Sequence, residues 1–180
     1  MQAELPSLAR AVAIINLVLG SIGLLSSPCG GLMFFDKTST NPVVKLVRDD
    51  PTLFAWEMSS LALGVLLISL QIIGAAALLK RIPWGRTLLF GQSIAVIVKV
   101  VISALVTALV LTPRLLEMAH RLPDSAQKAG AIGGAIGGAF GSLFALVLPI
   151  LTLIAVTRPD LRAALAPPPG GTAAPYPPSL

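Results

Sequence analysis

Four long stretches without a single Asp, Glu, Lys or Arg, at 11–35, 58–79, 87–113 and 129–157, dominate this sequence, and Lys99 alone interrupts the third. A hydrocarbon core about 30 Å thick is crossed by about 20 helical residues at about 1.5 Å rise each. Each stretch is therefore long enough to cross a bilayer. Composition agrees: 55% of residues are hydrophobic and 12% charged, against about 25% charged in soluble domains, and the mean hydropathy is +0.87. The expected fold is all-α, an integral membrane four-helix transmembrane bundle with antiparallel, up-down topology. The spans lie at about 8–35, 51–80, 87–111 and 125–157, within a domain covering 1–165.

Boundary signals support this partition. The apolar run after Arg10 continues to Phe35 with no A-x-A cleavage site behind it, so it reads as a retained span and not as a removed signal peptide. Ser26-Ser27-Pro28 is expected to end or bend it, because proline disfavours helical geometry in the preceding residue. Asn41-Pro42 predicts one or two helical turns through VVKLVRD, lying against the membrane. Asp50-Pro51 starts the second span with a capping carboxylate and a preorganised proline. The seven-residue link KRIPWGR, with Pro83 and Gly85, folds spans two and three into a hairpin. Pro113 is expected to close span three, followed by a short interfacial helix that turns Leu115, Met118, Ala119 and Leu122 to one side and Glu117, His120 and Arg121 to the other. Asp124 or Ser125 caps span four, Pro149 should kink it, and the Pro/Gly-rich residues 166–180 form a disordered cytoplasmic tail.

Orientation follows from the shortest loop. Residues 80–86 hold three basic side chains and no acid, which favours the cytoplasmic face and with it both termini. Trp84 and Trp56 then mark the inner and outer interfaces. The net charge of +5 does not point to nucleic acid, since the basic residues sit singly or in pairs at the ends of apolar stretches. The lone Cys29 has no partner for a disulfide or metal site and reads as a buried small apolar residue. His120 beside Glu117 reads as a solvated pair, Asp49 and Asp50 belong to the helix start, and no catalytic group, metal site or cofactor motif is expected.

Lys99 lies thirteen residues after Arg86 and fifteen before Arg114, near the bilayer midplane. A charge there costs about 2.5–3.5 kcal/mol on insertion scales. At about 100° per residue, Gln92, Lys99, Ser103 and Thr107 fall on one face of span three. Span two offers a matching face of Glu57, Ser60, Gly64, Gln71 and Ala75, and the expected contact is Lys99 to Gln71, with Asn16 contributing only through a water. The Lys99 amine is expected to have no buried carboxylate partner in its own chain. Either Lys99 marks a substrate, ion or partner site, or it is a tolerated polar residue that fastens helices. Span four opens with AGAIGGAIGGAFGS, whose Gly130, Gly134, Gly138 and Ser142 recur every four residues, as do Gly133, Gly137 and Gly141. Such ridges serve tight packing within one bundle or a self-association surface.

AIINLVLGSIGLLSSP, LLKRIPWGRTLL and LPILTLIAVTRPDLRAAL together resemble a loose group of small four-span bacterial membrane proteins. The resemblance implies a bacterial inner (plasma) membrane and four helices, and it carries over no activity and no site residue. The functional expectation is a non-enzymatic multi-span protein that acts by helix–helix association with itself or a membrane partner. The alternative is a small oligomeric channel or transporter with a polar path lined by Lys99.

Overall fold

The computed structural model describes residues 5–39, 41–121 and 125–166. All elements among them are helical: α1 (Ser7–Leu32), α2 (Pro42–Asp49), α3 (Pro51–Leu79), α4 (Pro83–Val106), a π-helical turn (Thr107–Leu111), α5 (Thr112–Arg121), α6 (Ser125–Thr157) and α7 (Pro159–Leu165). Three segments are long and apolar enough to cross a membrane: Ser7–Ser27, Pro51–Leu79 and Pro83–Glu117. A fourth is reached by counting Phe144–Thr157 together with Pro159–Leu165, which bend by 61° at their break. Large apolar side chains such as Ile22, Leu25, Leu66, Val98, Leu105 and Leu109 lie exposed along the middle of these helices. Exposure of so much apolar surface is unfavourable in water and favourable in lipid.

Helix starts follow the local chemistry. The Asn41 side chain accepts from the Val43 N–H, and Asp50 accepts from the N–H groups of Thr52 and Leu53, with proline next to each cap. Two proline boundaries behave differently from expectation. Helix α1 runs through Pro28 to Leu32, and the Ser26 and Ser27 hydroxyls just before the proline donate to the Gly23 carbonyl, one residue short of the Leu24 carbonyl whose donor proline removes. Pro113 does not close the third segment either. A widened turn precedes it, in which the Thr112 N–H donates to the Thr107 carbonyl, and the helix continues as α5. π-Turns re-register a helix where its ordinary hydrogen bonding is interrupted. Leu115 is buried while Glu117 and His120 are exposed; the side chains of Met118, Ala119, Arg121 and Leu122 lie outside what is described. Pro149 is carried inside α6. Cys29 is exposed, against the buried position expected for it; a small apolar side chain has no need of protein cover on a surface that is apolar all round. The caps at 124–125 and the tail beyond Ala166 fall outside the described residues, apart from Ser125 itself.

The hairpin between α3 and α4 is the most closely specified part. The Arg81 N–H donates to the Leu78 carbonyl and the Ile82 N–H to the Ala77 carbonyl, both at 2.9 Å, closing α3 around Arg81 at φ 60°. The left-handed residue is thus Arg81, and Gly85 has another role. A side chain at Gly85 would collide with Ala77 and the backbone of Leu78, so this glycine permits close approach. Following α4 forward, its partners on α3 run backward: Gly85 meets Leu78, Leu89 meets Gly74, Gln92 meets Gln71 and Lys99 meets Gly64. Two small cores close the ends. Ala9, Ala13, Leu78, Leu89, Val156 and Leu161 pack at one, and Val47, Leu53 and Leu111 at the other. Phe35 and Phe54 meet edge to face near the second. Helix α7 was not anticipated, yet its Leu161 is fully buried.

Candidate functional site

Between the two end cores lie polar side chains in two groups. The first is a closed network. Asn16 Nδ2 donates to Thr152 Oγ1 at 2.9 Å and to the Val12 carbonyl at 2.8 Å. Gln71 Nε2 donates to the Asn16 carbonyl at 3.2 Å, Gln92 Nε2 donates to Gln71 Oε1 at 3.3 Å, and the Ser93 hydroxyl reaches Gln92 Oε1 at 3.5 Å. All five residues are buried. One layer therefore ties α1, α3, α4 and α6 together. Among the described residues no buried side-chain nitrogen or oxygen lacks a partner, which is the condition for a buried polar layer to favour a single packing. Interhelical hydrogen bonds in membranes average about 0.6 kcal/mol, so the links from Asn16 to Thr152, Gln71 to Asn16 and Gln92 to Gln71 contribute about 2 kcal/mol together.

The second group centres on Lys99. Its Nζ lies 3.0 Å from where a Cβ of Gly64 would sit, so the amine occupies the notch that this glycine leaves. The expected contact with Gln71 is not made. Gln71 lies two turns further along α3, opposite Gln92, and spends its amide on Asn16 and Gln92. The amine reaches straight across to α3 instead of leaning back along α4. Asn16 accordingly joins Gln71 directly, without a bridging water. Glu57 is half-buried on the same α3 face two turns before Gly64, and it forms no ion pair with Lys99. Among the described residues, Lys99 makes no hydrogen bond or ion pair, so its donors are available to an acceptor from outside the chain. Ser103, on the same α4 face, and Thr107, which opens the π-turn after α4, are half-buried. The stripe expected along α4 is thus divided, with Gln92 closed into the network and Lys99, Ser103 and Thr107 beyond it.

The glycines of α6 contrast with those of the hairpin. A Cβ at Gly20, Gly31, Gly74 or Gly85 would fall within 3 Å of a neighbour. At Gly133 and Gly137 it would meet nothing within 4 Å, and both residues are exposed. The packing of Gly130, Gly134, Gly138 and Gly141 lies outside what is described.

Three members of this arrangement were not singled out by sequence reasoning. Thr152 and Ser93 are single hydroxyls in apolar runs, where such groups usually bond only to their own helix. Arg86 Nε donates to the Val156 carbonyl at 2.6 Å. Proline at 159 and the bend beside it leave the last carbonyls of α6 without helical donors, and Arg86 supplies one. Outside the apolar segments, the Asp50 carboxyl is held below the ordinary aspartate range, chiefly by the Arg114 guanidinium and then by the Leu53 N–H. No protein-family model, curated protein or solved structure matches the chain.

Proposed function

We propose that the chain is a four-span protein of the bacterial inner membrane, with antiparallel helices and both termini cytoplasmic, that acts by association with a second copy or another membrane protein through the glycine face of α6. The observation that carries this reading is the open space at Gly133 and Gly137. Glycine in a helix costs roughly 1 kcal/mol relative to alanine in water, and at Gly20, Gly31, Gly74 and Gly85 close packing offsets that cost. On α6 no neighbour among the described residues does so at these two positions, whereas a helix from another chain would. With 33 residues, α6 is about 50 Å long, enough to cross a bilayer. Lys99, with unspent donors beside Gly64, is a second contact for a partner carrying a buried acceptor.

The permeation alternative needs a continuous wet path along α4. Closure of Gln92 into the network favours association over it.

The test is the subunit number of the full-length protein in nanodiscs, by single-molecule photobleaching, for wild type and for Gly133→Ile combined with Gly137→Ile. A multimeric wild type and a monomeric variant with an unchanged unfolding midpoint are expected, because among the described residues nothing lies within 4 Å of a Cβ at these positions. A monomeric wild type that captures no membrane partner, or a variant that associates equally well, would refute the reading. Liposome leak abolished by Lys99→Leu would replace it with the permeation reading.

A further inference from the structure

A groove of about 410 Å³ runs between α3 and α4, walled by Leu67 and Leu70 on one side and by Trp84, Leu88, Gly91 and Ala95 on the other. That volume lies in the range of about 300–1,000 Å³ typical of small-molecule sites. Its lining is almost wholly apolar. Thr87 and Gln92 contribute to it, but the Gln92 amide nitrogen is spent on Gln71 inside the bundle. Where Gly91 lines the groove, a Cβ would meet nothing within 4 Å, so the missing side chain leaves room that the described residues do not fill.

We propose that this groove seats one acyl chain of an anionic phospholipid whose headgroup is held at the 80–86 turn. Two observations select this occupant. From Trp84 to Ala95 the groove extends eleven residues of α4, about 16 Å, close to half of a hydrocarbon core about 30 Å thick. It therefore matches a chain from one leaflet, whereas a transmembrane helix of a second copy would need a seat along the full thickness. Charge sets the headgroup: the groove starts at Trp84, within a turn that carries Lys80, Arg81 and Arg86 and no acid. Lys80 is exposed there, while Arg86 Nε is engaged with Val156. Basic turns between membrane helices attract anionic headgroups, each cation adding severalfold to affinity. Trp84 is 51% exposed, an amphipathic ring suited to the interface between chain and headgroup. The inference rests on residence in a bilayer and is independent of association through α6.

The test uses Trp84 as its own reporter, in the full-length protein with Trp56→Phe, reconstituted into phosphatidylcholine vesicles containing brominated phosphatidylglycerol or brominated phosphatidylcholine. Phosphatidylglycerol should quench Trp84 at a lower mole fraction, and Lys80→Gln should reduce that preference by about fivefold. Gly91→Leu should fill the groove and weaken quenching by either lipid, and Ala95→Leu provides a second block should Gly91→Leu fail to fold. Equal quenching by both lipids in the wild type would overturn the proposal. So would undiminished quenching in the blocked variants, or a fall in subunit number on blocking with quenching unchanged, which would mean that the groove seats a helix.

Discussion

Replacing Gly85 by alanine should open the α3–α4 hairpin, although alanine is the better helix former. The new Cβ would stand 2.7 Å from the Leu78 nitrogen, 2.8 Å from the Ala77 Cβ and 3.0 Å from the Ala77 carbonyl carbon. Two of these three atoms are backbone and cannot rotate away. Restoring ordinary contact means moving the start of α4 outward by about 0.7 Å, which also draws Leu89 away from Leu78 in the buried end core. Overpacking of this kind costs about 1–3 kcal/mol, and alanine returns less than about 1 kcal/mol in a first helical turn. The net loss is about 1–2 kcal/mol, a factor of about 5–30 in the folded-to-unfolded ratio. Gly91→Ala is the control, because its Cβ meets nothing within 4 Å; it should match the wild type or gain up to about 1 kcal/mol. Reversible unfolding with SDS in mixed micelles, followed by circular dichroism, gives both values. If Gly85→Ala unfolds with the wild type, or Gly91→Ala loses as much, the close approach at Leu78 and the pairing it sets are wrong.

The polar layer gives a second prediction: in the same assay, Gln71→Leu should cost about 1 kcal/mol, and its double-mutant cycle with Gln92→Leu should show a coupling of about 0.6 kcal/mol, whereas strict additivity would mean that the two amides do not meet. A third concerns pH. Because the folded Asp50 carboxyl lies below the ordinary value of about 3.9, the unfolded chain takes up the proton first as pH falls. This contribution is therefore complete above the ordinary value and is lost as pH drops through the folded value. Unfolding midpoints of the wild type should decline over that interval more steeply than those of Asp50→Asn, and parallel profiles would remove Asp50 and Arg114 from the account.

Much of the architecture could be read directly from local chemistry. Uncharged runs long enough for a bilayer, the Asn41 and Asp50 caps and the short basic turn each depend on residues adjacent in sequence, and the structure contains the corresponding helices. Proline was the weak signal. Helix α1 continues through Pro28, while at Pro113 a widened turn re-registers the helix, and neither outcome is visible in a dipeptide. The polar face of α4 was legible as a face but not as a set of contacts, since periodicity assigns an azimuth and leaves the opposite helix free to slide.

The sequence by itself determined that this chain buries its backbone in apolar helices, because composition and hydrogen-bonding demand act residue by residue. Only the tertiary structure decided that Gln71 meets Gln92 and Asn16 while Lys99 meets Gly64. That pairing follows from how closely Gly85 and Gly74 let α4 approach α3, a steric fit between residues far apart in the chain.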